Sequence, residues 1–380
     1  MNPGAREEHM NACYSLRMSR ALWQRLSFAA LALVMSFHFA MCYARGHCCA
    51  WSSIYVFAYG DPGIAYRPRL LMRYVYRLVY ALTQDKPPAF AHGVMTPQEI
   101  AIFSISFVSM LVIVYLTRAA IGVELGKQSP ARWFALLTVY MCCYQYILTP
   151  QNPVAFPYDT PAVAAFAIAL YAMLSRKRWM FYAVIVVASF NRETTFFLPP
   201  MFLILKLDPS VSLVPALKRV RISLWAEVAF QMLICISIVH WCNVSTKAVL
   251  GPTYAVPQNI HFFLSPQHWP TLLAIFGFLW WPYALFFRRI RNINLQRIAL
   301  LFPFWFIAMT WKADLLEVRV ESEWVPYLTL CLALIARNSL LLREEVSAQH
   351  PEGIPKQGLL ASQASRTLSA SIHLKPLAAV

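Results

Sequence analysis

The sequence predicts an all-α bundle embedded in a membrane, and three observations predict it. Mean hydropathy is +0.51. Only 13% of the 380 residues are charged, about half of the roughly 25% usual in a soluble domain. Apolar runs recur along the chain, several near the roughly 20 residues that cross a bilayer. Their ends carry short basic clusters: Arg17, Arg20 and Arg25; Arg176, Lys177 and Arg178; Lys218, Arg219 and Arg221; Arg288, Arg289 and Arg291. That placement is the positive-inside pattern. It also accounts for the net charge of +16 without nucleic acid, because no basic stripe with interleaved aromatics lies on a soluble segment.

About ten membrane segments follow from the runs: 26–43, 98–117, 132–149, 160–175, 179–191, 194–206, 222–242, 270–287, 297–311 and 324–341. The first follows a basic N-terminus but is long for a signal peptide, so it reads as an uncleaved helix. The fifth and sixth are short: 13 residues rise about 20 Å, less than the roughly 30 Å hydrocarbon core, which predicts a broken or re-entrant pair. Both termini are expected in the cytoplasm. Ten crossings then put every basic cluster inside except the loop at 44–97, with Arg45, Arg67, Arg69, Arg73, Arg77 and Lys86, and long loops follow the charge rule poorly. Within that loop Arg69, Arg73 and Arg77 are four apart, with Leu71, Val75, Leu78 and Val79 towards another face. This predicts an amphipathic helix on the outer membrane surface, or a plain surface helix. Residues 1–25 form a cytoplasmic N-terminal segment, 26–342 the membrane domain, and 343–380, rich in Ser, Ala, Gln and Pro, a disordered cytoplasmic tail.

The same topology gathers the acids at the outer face. Asp61 lies in the first outer loop, Asp159 in "FPYDTP", Arg192 and Glu193 in "NRETTFFLPP", and Glu317, Arg319, Glu321 and Glu323 in "LLEVRVESEWVP". Ions at membrane depth are costly and mark function by default. Carboxylates there can act as bases or hold a divalent metal, and arginines can grip a phosphate through paired hydrogen bonds. Each residue has a plainer role too. "GDPG" around Asp61 is turn chemistry. Asp159 can cap the following helix. Arg192 can pair with Glu193 to satisfy a helix break. Glu317 and Glu321, four apart, would share a helical face. His47, Cys48 and Cys49 lack a second ligand pair at zinc spacing.

With its inside N-terminus, long first outer loop bearing an acid, and amphipathic helix, the organisation resembles the GT-C class of integral-membrane glycosyltransferases. The motifs "YDTP", "FNRETTFFLPP" and "EVRVESEWVP" also resemble bacterial membrane proteins with Tyr-Asp, Asn-Arg-Glu-Thr and Glu-x-Arg signatures. The resemblance covers residues 25–342 and departs in one respect: Asp61 has no second acid beside it. It implies transfer of a sugar from a polyprenyl-phosphate donor to a glycan or lipid acceptor at the outer face of the bacterial inner membrane. It further implies Asp61, Asp159 and Glu193 as catalytic residues, and Arg192, Arg319, Glu317, Glu323 and Tyr158 as substrate-binding ones. The partners expected are the lipid-linked donor and membrane lipids. A transporter or flippase of a lipid-linked substrate, or a polysaccharide polymerase or ligase, are the alternatives.

Overall fold

The computed structural model describes residues 3–46, 69–84, 93–148, 155–245, 255–312 and 318–349. All regular structure among them is helical. In chain order the α-helices are α1 (Pro3–Ala44), α2 (Leu70–Thr83), α3 (Pro97–Leu125), α4 (Leu137–Cys143), α5 (Asp159–Leu174), α6 (Arg178–Ser189), α7 (Leu198–Lys206) and α8 (Leu213–Lys218). They continue with α9 (Ile222–Ser245), α10 (Ala255–Leu264), α11 (Trp269–Leu273), α12 (Trp280–Leu285), α13 (Ile293–Ile298), α14 (Leu301–Lys312) and α15 (Val325–Gln349). Residues 1–335 form one compact unit; the second, 336–380, is described only as the rest of α15, whose helix runs through Gln349, seven residues into the segment expected to be disordered.

Among the described residues, five helical stretches are long and apolar enough to cross a membrane: Leu22–Ala44, Pro97–Leu125, Ile222–Ser245, Ile293–Trp311 and Arg319–Leu341. Side-chain exposure agrees with a lipid surround. Helix α9 buries Val228, Gln231 and Cys235 but exposes Phe230, Leu233, Ile236, Trp241 and Val244. An apolar face of that extent belongs against lipid rather than water. The chain is an all-helical membrane protein.

The other expected segments differ from the five for local reasons. Helices α5 and α6 are apolar but short. The stretch 132–149 is built in three pieces, a 3₁₀ turn at Pro130–Leu136, α4, and a π turn at Tyr144–Leu148. Residues 194–206 begin as a 3₁₀ turn, Glu193–Phe197, before α7, whose Pro199 and Pro200 sit where a helix needs no amide donor. The stretch 270–287 breaks at Phe276, Gly277 and Phe278, all with positive φ. There the ideal Cβ position on Gly277 lies 2.6 Å from the Tyr140 ring, and the Tyr140 hydroxyl donates to the Gly277 carbonyl at 3.2 Å. A Gly277→Ala change is therefore expected to cost about 1–3 kcal/mol, from left-handed strain and the displaced ring. Thermal unfolding of the detergent-solubilised variant checks this; an unshifted midpoint would show that Tyr140 yields freely.

Helix α2 occupies the predicted amphipathic stretch but does not merely rest on a surface. Met72 and Tyr76 are buried, Leu71, Val75 and Val79 pack on the core, and the helix docks against α3. Its exposed row is apolar as well: Tyr74, Leu78 and Leu82. Its first turn is fixed by a hydrogen bond from the Leu71 amide to the Phe190 carbonyl, 3.3 Å, which brings Arg69 over the end of α6. Helix α3, started by a reciprocal cap between Thr96 and Glu99, packs along α1 and α5 at the centre.

Candidate functional site: a buried ion network at one end of the bundle

Four charged side chains meet where three breaks in helical structure come together. Asp159 is the first residue of α5, Arg192 precedes the 3₁₀ turn at 193–197, and Arg319 and Glu323 lie on the 3₁₀ turn Val318–Trp324. Arg192 Nη1 donates to Glu323 Oε1 at 2.9 Å, and its Nη2 lies 3.8 Å from Asp159 Oδ1. Arg319 Nη1 approaches the other oxygen of Asp159, Oδ2, at 3.7 Å. Asp159 and Glu323 are 1% exposed, Arg192 8% and Arg319 7%. Two cations and two anions thus meet inside the protein, where buried charges need partners, and a third buried carboxylate, Glu321, 1% exposed, lies on the same 3₁₀ turn as Glu323.

Neutral groups complete the network. The Thr194 hydroxyl donates to Glu323 Oε1 at 2.7 Å. The Tyr43 hydroxyl, at the end of α1, accepts from the Phe156 amide at 2.9 Å and lies 3.3 Å from Asp159 Oδ2. Asn191 donates to the Tyr158 carbonyl at 3.1 Å. Ser322 binds the Arg319 carbonyl at 2.6 Å and pairs with the Tyr146 hydroxyl in the π turn. The Arg69 guanidinium lies 3.8 Å from the centroid of the Tyr158 ring, which stacks on Phe156, and Arg319 lies 4.3 Å over Phe156 itself. Burial works against the Arg192 cation, but Glu323 and Asp159 outweigh it, so its guanidinium titrates above its ordinary value. Two buried acceptors, Asp159 Oδ1 and Glu323 Oε2, accept no hydrogen bond among the described residues.

Several sequence expectations change here. Arg192 pairs with Glu323 and Asp159, from distant parts of the chain, rather than with Glu193 as a local bridge. Glu193 is half-buried and turns to a small pocket, about 10 Å³, shared with Arg69, Cys242 and Asn243, room for about one water. Asp159 does not cap α5, where Tyr158 holds the capping position without a side-chain bond; its carboxylate serves the arginines instead. The 3₁₀ period of three, not a helical period of four, sets the faces around Glu321 and Glu323. Asp61, Glu317 and the His47–Cys49 cluster lie outside the described residues. Tyr43, Arg69, Tyr146, Thr194 and Ser322 were not singled out for the site from sequence, since each sits in an apolar or loop context whose partner is far along the chain. Among the described residues no group of three or more His, Cys, Asp or Glu side chains is placed to hold a metal ion; guanidinium groups stand between the carboxylates.

Beside this network lies a cavity of about 530 Å³, lined almost wholly by apolar side chains, among them Phe263, Leu272, Trp280, Phe302 and Trp324. Trp324, on the chamber wall, directly follows Glu323 in the chain. No family model, curated protein or solved structure matches this chain.

Proposed function

We propose that this chain is a GT-C-like integral-membrane glycosyltransferase of about ten membrane passes, moving a sugar from a polyprenyl-phosphate donor to a glycan or lipid acceptor. In the topology read from the basic clusters, the network faces the outside of a bacterial inner membrane and both termini are cytoplasmic. The observation that carries the reading is the convergence of Asp159, Arg192, Arg319 and Glu323 from three separate breaks in the fold, next to a chamber of a size that suits a small organic chain. A lipid-phosphate donor needs both chemistries side by side: cations for the phosphate and an apolar bay for the isoprenoid.

In the reaction, an acceptor hydroxyl oxygen attacks the anomeric carbon. The carbon–oxygen bond to phosphate breaks, and polyprenyl phosphate leaves with the electron pair. The hydroxyl proton passes to a carboxylate, the role proposed for Asp61. Arg192 and Arg319 stabilise the charge that grows on the phosphate. Asp159 holds both guanidiniums at 3.8 and 3.7 Å, longer than the about 2.7–2.9 Å of a charge-assisted hydrogen bond, and so orients them rather than capturing either. Glu323 and Thr194 fix Arg192, Tyr158 forms the aromatic floor, and Glu193 lines the approach.

The test is release of polyprenyl phosphate from a panel of polyprenyl-phosphate hexoses by the purified, detergent-solubilised protein. Arg319→Gln is expected to lower the rate about 10²–10³-fold, the usual loss for one electrostatic donor in a transition state, measured below its unfolding midpoint, which falls because buried Asp159 loses one of its two cations. The reading fails if no donor of the panel binds by native mass spectrometry and none turns over.

A further inference from the structure

The end of the bundle away from the ion network holds a second, basic cavity. It has a volume of about 670 Å³ and lies among the start of α6, the end of α7, α8 and the start of α9. Arg178, Lys206, Arg219 and Arg221 line it, with the carboxylates of Asp208 and Glu227 and an apolar wall that includes Val220 and Leu224. Four cations face two carboxylates, so the cavity keeps a net positive charge although Asp208 acts at longer range on Arg219 and Glu227 on Lys206. Asp208 accepts from the Ser210 amide and hydroxyl at 2.9 and 2.6 Å, and Glu227 from the Tyr182 hydroxyl at 3.4 Å. Among the described residues none of the four cations forms an ion pair.

Basic residues at the ends of membrane helices are common, and a scattered fringe would need no ligand. Here the four come from three places in the fold, the start of α6, the end of α7 and the 219–221 link before α9, and surround one concavity that is polar on one side and apolar on the other. Exposed Trp179 and Trp225 stand beside Arg178 and on the first turn of α9, the position of interfacial aromatics. We propose that this cavity binds an anionic phosphate group, with Arg178, Arg219 and Arg221 taking its oxygens, Lys206 closing the inner side, and Val220 and Leu224 meeting the carbon skeleton attached to it. The proposal is independent of the glycosyltransferase reading.

The experiment uses the full chain, delipidated in detergent and titrated by native mass spectrometry with phosphatidylglycerol, phosphatidylcholine and inorganic phosphate. Phosphatidylglycerol is expected to bind at least about tenfold more tightly than phosphatidylcholine. An Arg219→Gln/Arg221→Gln variant is expected to lose that preference, since charged hydrogen bonds of this kind are worth about a tenfold change or more. Competition by inorganic phosphate at equal concentration would identify a free phosphate compound as the ligand; its absence would identify a lipid headgroup. Arg291→Gln, an exposed basic residue of α13's approach that does not line the cavity, is the control. The proposal is overturned if Arg291→Gln weakens binding as much as the double variant, or if the two lipids bind alike.

Discussion

An Arg192→Met variant is expected to lose about 3–5 kcal/mol of stability, the cost of stranding buried charge. Glu323 would keep only the Thr194 hydroxyl, and Asp159 would keep Arg319 and Tyr43. Both carboxylates are 1% exposed, so water cannot replace the lost guanidinium. The informative comparison is the double variant Arg192→Met/Glu323→Met. Replacing a buried ion pair by apolar groups of similar volume is often close to neutral, so the double variant should recover much of what the single one loses. Unfolding in detergent, followed by tryptophan fluorescence, reads both. A single variant as stable as the starting protein, or a double variant less stable than the single one, would show that the network contributes little to the fold.

The second large loss is expected at Arg297, in the opposite half of the same unit. This residue is 7% exposed and, among the described residues, forms no close ion pair, although the Asp208 carboxylate acts on it at longer range. Its Nη1 donates to the Asp208 carbonyl at 2.9 Å and to Asn294 Oδ1 at 2.8 Å, and its Nη2 donates to the Val211 carbonyl. Asn294 in turn holds the Leu207 carbonyl at 2.7 Å. One planar fork thus ties the turn after α7 to α13. With charged hydrogen bonds worth about 1.5–3 kcal/mol each, Arg297→Met should cost about 3–5 kcal/mol. Arg297→Lys should recover little, because a point charge cannot span separated acceptors. Limited proteolysis within 207–212 should accelerate in both variants. If cleavage there and the melting midpoint stay unchanged, the turn is held by packing of Ala216 and Leu207 instead.

How far the sequence foretold this can be judged from particular residues. The long apolar helices were legible because 18 or more apolar residues have few other uses. The interruption at 192–200 was legible too, from an arginine and a glutamate shortly before a double proline. The break at 276–278 was not, since "AIFGFLWW" gives no warning that two phenylalanines share a left-handed turn with a glycine. In the site, Asp159, Arg192, Arg319 and Glu323 could be picked out as charges in apolar surroundings. Their pairing could not, because the contacts span 131 residues from Arg192 to Glu323. Tyr43 lies 116 residues before the Asp159 it serves, and in its own helix it looks like one more aromatic.

The distance along the chain between these partners also orders assembly. Arg192 leaves the ribosome 131 residues ahead of Glu323, an interval of about 6–26 s at usual elongation rates. Through that time it has Asp159, already made, as its one partner from the network, and neither can settle into lipid alone at low cost. The segments already made must therefore wait near the translocation machinery, or keep their polar end hydrated, until the turn at 318–324 arrives to close the circuit. A chain cut short before the turn at 318–324 would carry that open polar seam permanently, and quality-control proteases that recognise charge within the bilayer would find it there.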